Sequence, residues 1–90
     1  MIHPTIHSNG TSKQALYDQM RAAWDALRAA RRAIADAAPN GRDYYPQGDE
    51  AFREAVRQHH ARLKAVGEAM ADYEVMLMHL VYIYGSEGIQ

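Results

Sequence analysis

Apolar residues recur in an unbroken alternation of four-residue and three-residue steps along two stretches of this chain. Leu16, Met20, Ala23, Leu27, Ala30, Ile34 and Ala37 form the first series. Phe52, Val56, His59, Leu63, Val66, Met70, Tyr73, Leu77, Leu80 and Tyr84 form the second, with one histidine in the row. A step averaging about 3.5 residues holds one narrow stripe on one side of an α-helix, whereas a strand alternates at every second residue. Two long helices, each with a seam, are therefore predicted. Joined by a short connector, they must run antiparallel, so the fold class is all-α, a two-helix hairpin.

The ends of the helices carry their own signals. Thr11-Ser12-Lys13-Gln14 matches a capping box, with Thr11 as N-cap and Gln14 reaching back to it. Pro39 with Asn40-Gly41 stops the first helix near Ala38. Asp49 is the expected N-cap of the second helix, Glu50 complements its dipole, and Gly85 suits a left-handed C-terminal cap. The chain reads as one domain: an extended arm over 1–10, helix over 11–38, connector over 39–48, helix over 49–84 and a tail over 85–90.

Aligned at the connector, the longer second helix is expected to overhang the start of the first by about two turns. That overhang, Leu77 to Tyr84, is apolar nearly all round, and such a helix needs cover on every side. The expectation is a homo-oligomer, at least a dimer forming a four-helix bundle, with Trp24, Leu77, Leu80, Val81 and Tyr84 at the interface. Tyr17, Trp24 and Arg31 make a separate row at heptad spacing beside the seam and suit the same contact.

Composition bounds the function. Ninety residues without a cysteine leave no disulfide or thiolate-metal staple, which again favours association. The net charge of −1 gives no bulk attraction to DNA or RNA. It is unevenly spread, at +3 over residues 28–64 and −4 over residues 65–90. The start, Met1 to His7, has neither the basic nor the apolar region of a signal peptide, and the run Val75 to Tyr84 is too short to span a bilayer. No membrane contact is expected. No nucleophile–base ordering, P-loop or dinucleotide fingerprint is present, so the expectation is a binding protein, not an enzyme, with no cofactor.

Two segments carry groups that grip ligands. In the connector, Arg42 offers a planar fork for phosphate or carboxylate, Tyr44 and Tyr45 offer faces for a base, and Gln47 adds amide hydrogen bonds. Asp43, Asp49 and Glu50 oppose an anion there, and the same residues also suit a plain structured turn. The second segment is His7, Asn9, Gly10, Thr11 and Ser12, where free N–H groups open a helix and an anion can sit. Capping alone accounts for Thr11 but not for Asn9-Gly10. Within one hairpin the two segments lie at opposite ends, and antiparallel stacking of protomers would join them into a composite pocket.

The histidines add less. His3 and His7 are four apart, but Pro4 breaks the helix that metal spacing would need, and no metal site is expected. His59 suits a hydrogen-bonded core position and, with Arg57, His60 and Arg62, an extension of a basic pocket. His79 suits a pH-sensitive contact. The outward face of the first helix, with Asp18, Arg21, Asp25, Arg28, Arg32 and Asp36, reads as a solvated, self-paired surface.

The segments Pro4 to Ser12 and Ala38 to Gly48 resemble a family of small tailed-phage proteins marked by a PTIHxNGTS-like start and a GRDYYPQG-like connector. The resemblance spans the whole chain. Ser8 departs from it, standing where the family has an apolar residue, usually leucine. Membership implies a phage protein acting in the host bacterial cytoplasm. In outline it is also similar to helical "sponge" proteins that sequester the nucleotide signals of CBASS or Thoeris immunity. The expected function is thus to bind and withhold a phosphorylated nucleotide signal without turnover. The alternatives are an adaptor or inhibitor of a host protein, using Tyr17, Trp24 or the Met76-Met78-Tyr82 surface, and a minor virion component.

Overall fold

A computed structural model describes residues 1–89 of the chain. Among them are two α-helices, α1 (Lys13–Asp36) and α2 (Asp49–Tyr84), packed against each other as a hairpin, and no strand. The molecule is a rod of 61 × 23 × 20 Å. Its radius of gyration is 18.8 Å, against roughly 12 Å for a compact domain of this length. A rod two helices wide has almost no interior. Met20, Met70 and Leu80 are the only buried apolar side chains among the described residues, and His59 is buried with them. The rest of both seams, including Leu16, Leu27, Ile34, Phe52, Leu63, Val66 and Leu77, is half-buried, while Ala30 and Ala37 are exposed.

The two N-caps differ from expectation by one residue each, and the C-cap of α2 is the expected Gly85. Ser12, not Thr11, caps α1: its extended backbone lets Oγ accept from the Ala15 N–H at 3.1 Å. Gln14 does not reach back. Its side-chain amide donates to Asp18 at 2.7 Å, one turn ahead. At α2 the cap is Gly48, with φ at 97°, and Asp49 is already helical. Asp49 and Glu50 still place their charges in the first turn, where the free N–H groups are. Gly85, at φ 80°, ends α2 and donates its N–H to the Val81 carbonyl at 2.8 Å.

The overhang lies at the opposite end from the one expected. The Lys13 ammonium donates to the Tyr84 carbonyl at 3.1 Å, so the start of α1 and the end of α2 finish level. The extra length of α2 is taken up beside the connector. Residues 39–48 do not turn tightly but wind into two 3-10 turns, Gly41–Asp43 and Tyr45–Gln47. A 3-10 turn rises about 2 Å per residue, so the connector climbs alongside the first turns of α2 instead of capping the rod. Phe52 marks the contact, tilted against Tyr44 at 6.1 Å and lying beneath Gly41.

The apolar end of α2 is covered in part by the arm. The Ile6 N–H donates to the Tyr84 hydroxyl at 3.2 Å, and the His3 ring stacks on that of His79. Leu80 is wholly enclosed. Met78, Tyr82 and Ile83 remain 53%, 77% and 63% exposed, so one chain does not bury its own C-terminal turns. Among the described residues no helix is long and apolar enough to cross a membrane.

Candidate functional site

The connector is built by local hydrogen bonds. Asn40 accepts the Arg42 N–H on its side chain at 3.0 Å, and its carbonyl accepts the Asp43 N–H. Pro46 opens the second turn, and Gln47 and Gly48 close it through their N–H groups onto Tyr44 and Tyr45. An asparagine that bonds its own backbone two residues on needs no tertiary help to turn the chain. The result is a ledge standing off α2.

Between the ledge and α2 lies an open groove of about 350 Å³. Ala37 and Pro39 form its end, Tyr44 and Gln47 its connector wall, and Ala51, Glu54, Ala55, Gln58, His59 and Arg62 its α2 wall. That volume is at the lower end of small-molecule sites. The alanines make the room, since a larger side chain at 51 or 55 would fill the groove. His59 lies in the floor, and Arg62 is exposed, with no carboxylate within ion-pair distance among the described residues. Glu54 is the opposing charge. Hydrogen bonds from Arg57 and Gln58 pull its carboxyl down to about 2, so it is ionised at any physiological pH but already paired. The groove therefore offers an aromatic wall, two amides, an imidazole and a free guanidinium. It can hold a ligand with a ring and an anionic group, and it presents no nucleophile–base pair.

Of the connector residues singled out from sequence, Tyr44 and Gln47 line this groove. Arg42 and Tyr45 do not. Arg42 is exposed and free of ion pairs among the described residues, and Tyr45 is 75% exposed, projecting from the ledge. Gln58 and the small residues Ala51 and Ala55 carried no signal, because their role depends on where the connector lies. His59 and Arg62, three apart, sit one turn along the same face.

The second segment stands at the far end of the rod. His7, Asn9, Gly10, Thr11 and Ser12 are all exposed. The Gly10 N–H bonds the His7 carbonyl at 3.1 Å, and a Cβ on Gly10 would come within 2.8 Å of the His7 ring. This is a tight turn with the imidazole folded over it, and Ser12 Oγ already takes one of the free donors of α1. Of the residues expected at an oligomer interface, Trp24, Leu77, Val81 and Tyr84 are half-buried. Leu80 has no surface left to offer, because the hairpin encloses it completely.

No protein-family model, curated protein or solved structure matches this chain.

Proposed function

We propose that this is a non-catalytic phage protein that binds a phosphorylated nucleotide signal and withholds it from host antiphage defence in the bacterial cytoplasm. The observation that carries the reading is the convergence of Tyr44, Gln47, His59 and Arg62 on one groove at the connector end. Tyr44 is placed to stack on a base, Arg62 to pair with phosphate, and Gln47 and Gln58 to read polar edges. Arg42, exposed on the same ledge, supplies a second cation. An anion here would be opposed by Glu54 were that carboxylate not held by Arg57.

The working form is a homo-oligomer. Two observations support this: the exposed apolar turns at the end of α2, and an elongated shape that leaves almost no interior. In an antiparallel assembly the Asn9–Ser12 turn of one chain can approach the connector of another, giving a second donor set for a ligand with two anionic groups. The test is calorimetric titration with cyclic di- and trinucleotides and ADP-ribose derivatives, followed by recovery of the ligand. Selective binding with the ligand recovered intact supports sequestration. Binding with turnover, or no binding across the panel, overturns it.

A further inference from the structure

We infer that the flank of the hairpin bearing Trp24, Val75, Met78 and Tyr82 is the seat of a second copy of this chain, laid antiparallel to the first. The inference rests on the homo-oligomer part of the reading above and specifies which surface and which orientation make it.

Val75, Met78 and Tyr82 are spaced three and four apart, so they fall in one narrow arc of α2. They are 47%, 53% and 77% exposed. Trp24 belongs to the same flank, since its indole N–H crosses to Glu74 at 2.9 Å. Between the helices, Trp24, Leu77 and Met78 line a shallow, largely apolar depression of about 310 Å³, with Arg21 and Glu74 at its rim. Unbranched methionine and an amphipathic indole are the residues that pack well across such a contact.

The surface of the rod leaves room for such a partner. The accessible surface is 6523 Å². A compact monomer of 10.1 kDa exposes roughly 5,300 Å², so this chain carries about 1,200 Å² in excess. A standard interface takes about 800 Å² from each partner. The excess is enough for one full interface of that size.

Charge sets the orientation. Arg28 and Arg31, on α1 beyond Trp24, have no carboxylate within ion-pair distance among the described residues. Residues 65–90 hold Glu68, Asp72, Glu74 and Glu87 and no lysine or arginine. Because Lys13 meets Tyr84 and Trp24 meets Glu74, Glu68 and Asp72 lie level with Arg31 and Arg28, and of the four carboxylates only Glu87 lies past Trp24 toward the start of α1. A twofold axis near Trp24 and Met78 carries each copy's arginines over its partner's Glu87 end. A parallel pair would set the arginines against each other.

The test uses the full chain without nucleotide, so its failure leaves the groove reading standing. Light scattering behind size exclusion should give twice the chain mass for the wild type and a monomer for Met78→Glu, with helical circular dichroism retained. Ala26→Glu, on the opposite flank, should remain dimeric. The chain has no cysteine, so an equimolar mixture of R31C and E87C should give the mixed disulfide dimer on mild oxidation. A monomeric wild type, a dimer broken by Ala26→Glu but not by Met78→Glu, or R31C linked to itself instead, overturns the inference. A wild type that is monomeric alone but pairs through Met78 with a host protein also overturns it, in favour of an adaptor.

Discussion

The His3 ring lies face to face on the His79 ring, with centroids 4.0 Å apart and planes 6° from parallel. The Tyr84 ring meets His79 edge-on at 6.2 Å, and its hydroxyl accepts the Ile6 N–H. Three aromatic residues thus tie the arm to the end of α2. His3 Nδ1 is buried without a hydrogen-bond partner, and two stacked imidazoles cannot both take a proton cheaply.

The arm should therefore loosen in mild acid. Burial, then the neighbouring His79, lower the His3 pKa below its ordinary 6.5. The folded chain then binds fewer protons at His3 than the unfolded chain, so this contribution is intact above pH 6.5 and is lost as pH falls through the folded value. Thermal melts from pH 7.5 down to 5 should show a falling midpoint, and His3→Phe, which keeps the stack but cannot protonate, should flatten that slope. Equal slopes for both proteins would exclude the stack as the cause.

Ser12→Ala should cost about 1 kcal/mol, and Thr11→Ala a few tenths at most, because only Ser12 Oγ meets a free helix N–H. Chemical denaturation of the two variants side by side checks this. A larger loss at Thr11 would restore the capping box that the sequence suggested.

Gly48 has φ 97° and ψ 165°, a region that side chains with a Cβ avoid. Gly48→Ala should destabilise by roughly 1–3 kcal/mol although the site has open space around it. An unchanged midpoint would mean that the connector relaxes to another path into α2.

Glu54 should titrate near 2, held there chiefly by Arg57 and then by Gln58. In Arg57→Ala its carboxyl should move up toward 4.5, read from the side-chain carbon shift in a pH series. The stabilising contact is present above 4.5 and is lost as pH falls through the folded value. Titration of the wild-type carboxyl near 4.5 would show that the pair does not persist in solution.

The sequence revealed what depends on periodicity. The heptad rows placed Leu16, Leu27, Leu63 and Met70 on one seam, and Gly85 announced the end of α2. It did not reveal what depends on the path of the connector. Nothing in Gly41 to Gln47 spells two consecutive 3-10 turns, so the register between the helices slipped and the overhang was placed at Tyr84 instead of beside Phe52. The groove suffered the same way. Tyr44 and Gln47 stood out by residue type, but Ala51 and Ala55 matter only as empty space, and Arg42 and Tyr45 look equally suited until the ledge turns them outward. His79 suggested a pH-sensitive contact, while its partner His3 lies seventy-six residues away along the chain and no local pattern joins them.

The most direct measurement is thermal shift of the wild type, Arg62→Ala and Tyr44→Ala against cyclic di- and trinucleotides and ADP-ribose derivatives, with ATP and NAD as controls. A ligand at a hundred times its dissociation constant should add about 2.7 kcal/mol to the wild type. Losing a charge-assisted contact of about 1.5–3 kcal/mol should weaken binding by roughly 10- to 150-fold in Arg62→Ala. A selective shift that both substitutions abolish places the ligand in the connector groove. A flat panel, or a shift that survives both, contradicts it.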